Sequence, residues 1–380
     1  MASTAPEQSA TKDEDMQTSG ILLEKKVQIQ EPSRSPVQEK RWLEPGEHDG
    51  EHIAIVSYPR SGNSLMRGLL ESITGVYTGC DTRPDRSLSL ELQKCGMKGE
   101  GVVDDSVWFV KSHYPERSGY LPVTIHKAIL VVRNPWDAIN SYFNMTLTNT
   151  HNKSVHDSQY ERFRERWDAM IRNEIQVWMK FHQYWITKVD IAVQIVRYED
   201  LLVHRKETLH RVFKFILNKE PKDTLENTEW MTRIESILTE QDTGPYKPRS
   251  GKIASSFRHF SPDQFKYIVD TARTHLRNFG YDPETQNFPD DIRLPNRQIK
   301  PAKPGATTWV LSGDKLDLRD RNDTFGRLST WFRKSLVDPI IASDGTELNM
   351  DEVLAARERA RLRDEEAKTD APTDEEECGP

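Results

Sequence analysis

The sequence has 380 residues, of which 36% are hydrophobic and 30% charged, and its formal net charge is −7. A chain of this length can form one large domain or two ordinary ones. The excess of acidic residues lies at the two ends, and the body between them is mildly basic. Such a body favours a small anionic ligand and is not typical of a nucleic-acid-binding groove, so we expect no nucleic-acid partner.

Cysteines and apolar runs limit the class of protein further. The cysteines are too few and too scattered for a disulfide framework or a zinc site. No run of about 18 apolar residues is present, so we expect no transmembrane helix. The N-terminal residues contain no apolar stretch of the secretory type and are acidic. The cysteines are Cys80, Cys95 and Cys378. Together these features predict a cytoplasmic protein; they say nothing about its oligomeric state.

Short apolar runs alternate with helical patterns along the body of the chain. Residues 1–50, rich in Ser, Pro, Gln and Glu, are predicted to form a disordered arm. From His52 onward, four runs are typical of buried parallel strands: HIAIVSY, VWFVKSH, KAILVVRN and IAVQIVRY. Helices are predicted over 62–73, 136–147 and 160–188. The last carries a stripe of aromatic residues, which we interpret as core packing.

This alternation predicts βαβ units and therefore an α/β domain over residues 51–285 with a central parallel sheet flanked by helices. Residues 286–305 are rich in Pro and Asn and are predicted to form a linker. Residues 306–380 are predicted to form a C-terminal extension that is partly helical and ends in an acidic disordered tail. Ligands of such sheets bind at the carboxyl ends of the strands.

The stretch SYPRSGNSLMRGLLE follows the first of these strands and has the pattern of an anion-binding loop. Gly62 allows the backbone to approach an oxyanion, and the following helix N-terminus favours negative charge. Arg60 can donate to two oxygens at once. An ATP-type loop would end in Lys and Ser or Thr, and its hydroxyl would hold magnesium. That ending and an obvious Walker-B aspartate are missing, so we expect no metal and a singly charged group such as sulfuryl.

Other residues at predicted strand ends support a site there. Arg133 ends the run KAILVV, and Ser141 lies two turns into the next helix, so the two can grip a second phosphate. Lys111 and His113 share one face of a strand end because they are alternate residues. The segment KPRSGKIASSFRHF concentrates four basic residues: Lys247, Arg249, Lys252 and Arg258. On their own, a glycine turn, a single histidine and a basic loop are each also compatible with a purely structural role.

Taken together, these motifs resemble the P-loop sulfotransferases that use 3′-phosphoadenosine-5′-phosphosulfate (PAPS) as donor. The matching pieces, in the family's order, are YPRSGNS, KSHYP, RNPWDAINSYFN, VRYEDLL and RSGKIASSFRHF. GVYTGC, GMKGE and VKSHYPERSG are most similar to the WSC-domain-containing sulfotransferases, although this sequence shows no Cys-rich WSC module and no membrane anchor. The resemblance implies a P-loop nucleotide-hydrolase-like three-layer fold and sulfuryl transfer from PAPS to a small-molecule or glycan hydroxyl.

The resemblance also implies a role for each matching residue. His113 would be the general base, Lys111 would neutralise charge on the bridging oxygen, and Tyr198 would contact the adenine. Arg60 would act in catalysis as well as in binding. The residues expected to surround the 5′-phosphosulfate are Arg60, Ser61, Gly62, Asn63 and Ser64. Those expected to hold the 3′-phosphate are Arg133, Ser141, Arg249 and Gly251.

Three positions depart from the cytosolic members of the family. Arg60 stands where a lysine is usual, so the charge is kept but the mobile, point-like ammonium is lost. Leu65 replaces a tryptophan that stacks on adenine, and Ser250 interrupts the match to an Arg-Lys-Gly segment.

Two other classes of protein remain open on the sequence. A catalytically silent PAP- or nucleotide-binding scaffold would use the loop without the chemistry, although the presence of both Lys111 and His113 favours an enzyme. A P-loop kinase would need the metal-binding ending that the loop lacks.

Overall fold

The apolar run that follows His52 forms the central strand of the protein. In the computed structural model this strand, β1 (Ile53–Ser57), is buried at every position. It lies between β4 (Phe109–Ser112) and β6 (Lys127–Val132) and pairs in parallel with both. Two-sided burial is what its uninterrupted Ile and Val pattern requires. The structure describes residues 39–47, 50–84, 87–116, 120–219, 228–239, 252–281, 298–299, 308–311, 318 and 338–348.

The main sheet of the described residues has seven strands in the order β3-β2-β4-β1-β6-β7-β8. The first six pair in parallel, and β8 joins antiparallel at the edge. The remaining strands of this sheet are β2 (Gly79–Cys80), β3 (Gly99–Glu100), β7 (Ala192–Arg197) and β8 (Gln298–Ile299). Two small antiparallel pairs accompany it: β5 (Val123–Ile125) with β9 (Trp309–Leu311), and β10 (Ile340–Ile341) with β11 (Glu347–Leu348).

Helices cover both faces of the sheet. The helices are α1 (Asn63–Thr74), α2 (Ser87–Lys94), α3 (Pro135–Thr148), α4 (Ser158–Arg162), α5 (Arg164–Thr187), α6 (Tyr198–Val203), α7 (Arg205–Ile216), α8 (Glu229–Thr239) and α9 (Pro262–Asn278). One apolar cluster joins the sheet to α1, α7 and α8. The other joins it to α3, α5 and α9. The predicted three-layer α/β fold with a central parallel sheet is therefore confirmed.

The long aromatic pattern after residue 160 forms α5, and its stripe is buried. Trp167, Trp178 and Trp185 are each no more than 3% exposed and lie in the cluster shared with α3 and α9. The expectation of core packing is therefore confirmed.

The domain boundaries stay predictions, but some described residues bear on them. Arg41, from the predicted disordered arm, forms a parallel β-bridge with Val76. β8, from the predicted linker, extends the main sheet. The predicted acidic helix and tail after residue 350 lie outside the described residues. Among the helices that the structure describes, none has the length and hydropathy needed to cross a membrane.

Candidate functional site

The carboxyl ends of β1, β4, β6 and β7 lie side by side, and their register aligns the candidate residues. Ile55 pairs with Lys111, so His113 lies level with Ser57 at the end of β1. Val132 pairs with Arg197, so Arg133 and Tyr198 follow the ends of adjacent strands at the same level. Parallel strands bring their carboxyl ends to one edge, where open α/β sheets bind ligands. The candidate residues therefore lie at one edge of the sheet, as the strand-end motifs predicted.

The loop between β1 and α1 has the backbone conformation of a tight glycine turn. Gly62 has a φ of 105°, and Arg60 has a φ of 68°, in the left-handed region that most residues avoid. A Cβ on Gly62 would lie 2.3 Å from Cδ2 of Tyr198. A glycine is thus required at this position for two reasons, the backbone angle and the contact with the tyrosine ring. The helix that follows exposes its first-turn N–H groups, which have no intrahelical acceptors.

In the loop after β1, the buried acceptor Oδ1 of Asn63 lacks a hydrogen-bond partner among the described residues. Two buried donors of the loop and of the β6 end also lack one: Oγ of Ser61 and Nε of Arg133. Buried polar groups usually have partners, and an unpartnered one points to a bound ligand or water. Both atoms can donate a hydrogen bond, so an anion would satisfy them. Asn63 is different, because its side-chain Nδ2 already donates to Oγ of Ser57 at 2.9 Å. Its contribution to an anion site would come from the backbone.

Arg60 and Arg133 are held in the same region by different groups. Nε of Arg60 donates to Oγ of Ser141 at 3.1 Å, and its Nη1 lies 2.8 Å from Nδ1 of His151. Nη1 of Arg133 donates to the carbonyl oxygen of Arg60 at 3.0 Å. The guanidinium of Arg133 also covers the ring of Tyr198, 4.6 Å from its centroid. The structure thus brings together the loop, the strand end of β6 and helix α3.

His113 is oriented by the end of β1. Its Nδ1 lies 2.7 Å from the carbonyl oxygen of Ser57, and a carbonyl only accepts, so Nδ1 carries the proton. In the neutral ring the lone pair is therefore on Nε2, which is the arrangement a general base needs. Nζ of Lys111 lies 3.4 Å from Oγ1 of Thr82, and Lys111 is buried.

A cluster of buried ionisable residues lies near Lys111. Arg67 and Glu100 form a salt bridge in which both side chains are 1% exposed. Burial raises the pKa of Cys80 to about 11 and that of Asp81 to about 7. For Asp81, the charge of Lys111 and the hydroxyl of Ser112 oppose the effect of burial without cancelling it. Lys111 therefore lies close to a buried salt bridge and to two acidic groups whose pKa values are raised.

Not every predicted site residue can be located, and others emerge only in the structure. Arg249 and Gly251 lie outside the described residues. The sequence analysis missed His151, Asp137 and Asp81. Asp137 could have been found, because the run Asn-Pro-x-Asp is typical of a helix N-terminus. His151 lies in a loop with no pattern, and Asp81 follows a strand of only two residues.

Comparison with known families finds a matching domain. Residues 50–237 match the Sulfotransferase domain family model. The resemblance predicted from the motifs is thereby confirmed. The region matching the sulfotransferase domain begins one residue before the predicted domain and contains the loop, Lys111, His113, Arg133, Ser141 and Tyr198. It ends before Arg249 and Gly251.

Curated relatives match part of the chain. A WSCD family member of Aedes aegypti is 32% identical over 167 residues, which cover 44% of this chain and 50% of that protein. A WSCD family member of Drosophila melanogaster is 30% identical over 164 residues, covering 43% of this chain and 49% of that protein. The chain thus spans about half the length of the curated relatives that it matches.

Among solved structures, the chain is similar to mouse sulfotransferase SULT7A1 complexed with PAP. The sequence identity is 17% and the TM-score 0.37, with 60% of this chain and 85% of that chain covered.

Proposed function

We propose that this protein is a sulfotransferase that moves a sulfuryl group from PAPS to an acceptor hydroxyl of a small molecule or glycan. The observation that carries the proposal is the meeting of three groups at one sheet edge. These are the glycine turn with its unpartnered Ser61 hydroxyl, the Arg133 guanidinium, and a His113 ring whose tautomer leaves the lone pair on Nε2. The match of residues 50–237 to the Sulfotransferase domain adds the reaction class.

The site's own residues fit a donor that carries anionic groups at two positions. The first-turn amides of α1, the Ser61 hydroxyl and Arg60 would bind one anionic group, as at other helix N-termini. Arg133 and Ser141 would bind the second, with Arg249 and Gly251 as the remaining expected contacts. Tyr198 supports the loop at Gly62 and lies under Arg133, and contact with the adenine is proposed for it in addition.

His113 would take the proton of the acceptor hydroxyl at Nε2, while its Nδ1–H stays on the Ser57 carbonyl. Lys111 would stabilise negative charge that develops on the oxygen bridging the transferred group. Arg60 would add a second positive charge.

The described cysteines, Cys80 and Cys95, are free thiols, which favours a reducing compartment. We propose a cytoplasmic location on that ground.

Isothermal titration with PAP in the absence of magnesium tests the donor site directly. We expect binding by the wild type and a loss of about 100-fold or more in Arg133→Ala, because one charged hydrogen-bonding partner is removed from a buried site. Arg164→Ala is the matched control, since that arginine is exposed and pairs only with Glu161 among the contacts described for it.

Each other outcome selects a different class of protein. Binding of ATP only with magnesium, and not of PAP, would indicate a kinase and overturn the proposal. PAP binding without transfer from labelled PAPS to any of a panel of hydroxyl acceptors would indicate a silent scaffold.

A further inference from the structure

The carboxylate of Asp137 lies at the junction of two parts of the chain that are far apart in sequence. It belongs to the first turn of α3 and is 1% exposed. Its Oδ2 accepts from the backbone N–H of Ala254 at 2.9 Å, and its Oδ1 accepts from that of Ser256 at 3.1 Å. The side chain of Asn134 donates to the same carboxylate at 2.9 Å. A buried carboxylate with this many donors is well satisfied and fixed in position.

The same carboxylate faces the proposed anion site. Nη2 of Arg133 lies 3.9 Å from Oδ2 of Asp137, in the i to i+4 relationship. Arg133 is thus bounded by three groups: the Asp137 carboxylate, the Tyr198 ring and the Arg60 carbonyl. Because its Nε has no partner, the guanidinium keeps one buried donor for a ligand. The carboxylate limits the directions in which that donor can point.

Asp137 stabilises the turn that it binds. Ala254 has a φ of 59°, a left-handed conformation that is strained for a non-glycine residue. The two hydrogen bonds from the backbone amides of Ala254 and Ser256 to Asp137 offset this backbone strain. A third contact, from Nδ2 of Asn140 to Oγ of Ser256 at 2.9 Å, lies one turn further along α3, next to Ser141. The turn over 254–256 therefore lies along the face of α3 that carries both Asp137 and Ser141.

A second buried carboxylate anchors the start of this helix. Oε1 of Glu199 accepts from the backbone N–H of Asn134 at 3.0 Å and from its side-chain Nδ2 at 2.8 Å. Asn134 in turn accepts from the backbone N–H of Asp137 at 2.8 Å, which caps the helix. Glu199 therefore fixes the position of Asp137 through Asn134, and Asp137 in turn holds the 254–256 turn together with Asn140.

From this geometry we infer that Asp137 is a positioning residue for the 3′-phosphate side of the site. It orients the Arg133 guanidinium and docks the 254–256 turn beside Ser141. This inference rests on the proposed function, because the ligand it serves is the one that Arg133 would bind. In this role Asp137 would act through Arg133 and the turn, without a contact of its own to substrate or donor.

Asp137→Asn tests the inference with a small change of shape. The amide keeps one acceptor but turns an NH₂ group toward donors, and it removes the charge that faces Arg133. We expect the Kd for PAP and the KM for PAPS to rise by about 10-fold or more, which corresponds to about 1.4 kcal/mol. The kcat and the KM for the acceptor should stay within about twofold. Hydrogen exchange at the amides of Ala254 and Ser256 should become faster in this variant, while the core strands stay protected.

Asp168→Asn is the matched control, because that carboxylate also accepts from two side chains but is 43% exposed and distant in sequence from the site motifs. Should Asp137→Asn fold poorly, Ser256→Ala removes only the Asn140 contact and is expected to weaken PAP binding about threefold. Unchanged PAP binding in a folded Asp137→Asn or, failing that, in Ser256→Ala would overturn the inference.

The titration of Arg133→Ala with PAP distinguishes a failure of the positioning role of Asp137 from a failure of the proposed function. If Arg133→Ala loses PAP binding and Asp137→Asn keeps it, the positioning role is wrong and the proposed function stands. If neither variant changes PAP binding, both Arg133 and Asp137 are excluded from the donor site and the inference fails. If the wild type itself does not bind PAP, the proposed function fails together with the inference.

Discussion

The guanidinium of Arg60 and the hydroxyl of Ser141 are hydrogen-bonded, with 3.1 Å between Nε and Oγ, although 81 positions separate them in the chain. Motif matching assigns these residues to opposite ends of the donor, one to the 5′-phosphosulfate and the other to the 3′-phosphate. In the structure they are in contact across the gap between the β1 loop and α3. The residues predicted for the two anion sites are thus in direct contact at this point.

Ser141→Ala should weaken PAP binding. The hydroxyl is a donor for the proposed 3′-phosphate and an acceptor that steadies Arg60, and hydrogen bonds to charged groups contribute about 1.5–3 kcal/mol. We therefore expect the Kd for PAP, measured by titration calorimetry, to rise at least about 10-fold. Ser158→Ala, at an exposed helix start, is the control and should bind PAP as the wild type does. An unchanged Kd in Ser141→Ala would exclude Ser141 from the donor site.

His113→Asn should abolish transfer while sparing donor binding. The asparagine amide can still donate to the Ser57 carbonyl, as Nδ1 of the histidine does at 2.7 Å, but it provides no base at the position of Nε2. Loss of a general base lowers kcat by about 100- to 10,000-fold. Turnover of labelled PAPS and PAP titration would be measured on the same preparation. A variant that keeps more than a tenth of the activity would show that another group takes the proton.

His156→Ala is the control for that experiment, because its ring is exposed and contacts Ser158. It should leave both turnover and PAP binding unchanged.

Gly62→Ala should destabilise the protein more than an ordinary substitution at a left-handed glycine. Backbone strain at its φ of 105° costs about 1–3 kcal/mol, and the new Cβ would in addition lie 2.3 Å from the Tyr198 ring. Gly46→Ala is a matched control, with a φ of 80° and no atom within 4 Å of the added Cβ. Urea denaturation should give a larger loss of unfolding free energy for Gly62→Ala. Equal losses would contradict the role of the Tyr198 contact.

Asp81→Asn should change how stability depends on pH. Because burial raises the pKa of Asp81 from 3.8 to about 7, the folded state holds a proton that the unfolded state releases above about pH 4. The wild type therefore loses stability from this group as pH rises from about 4 to about 7, and the loss is constant above that. The unfolding free energy of the wild type relative to Asp81→Asn should fall by up to about 4 kcal/mol over this window, since one pKa unit corresponds to about 1.4 kcal/mol.

Asp105→Asn provides the control, since the Asp105 side chain is 85% exposed. If the difference in unfolding free energy between wild type and Asp81→Asn stays constant between pH 4 and pH 8, Asp81 ionises normally in the folded protein.

Much of the fold could be predicted because its signals are local. The apolar runs around Ile55, Val110, Leu130 and Ile195 are long enough to show two-sided burial, and each became a parallel strand. Chain order and strand ends then brought the β1 loop, His113 and Arg133 to one edge. β2 and β3, with two residues each, carry too little pattern to be found in this way.

The sequence by itself therefore determined the α/β class, the glycine turn at Gly62 and the groups available for an anion. Only the tertiary structure decided which of them meet. Arg60 contacts His151, and Asp137 binds the 254–256 turn, through long-range packing that no local spacing encodes. Likewise, an aspartate in a sequence has an ordinary pKa, and only the complete burial of Asp81 raises it. Burial and register are properties of the whole packed chain, and the finer chemistry of the site depends on both.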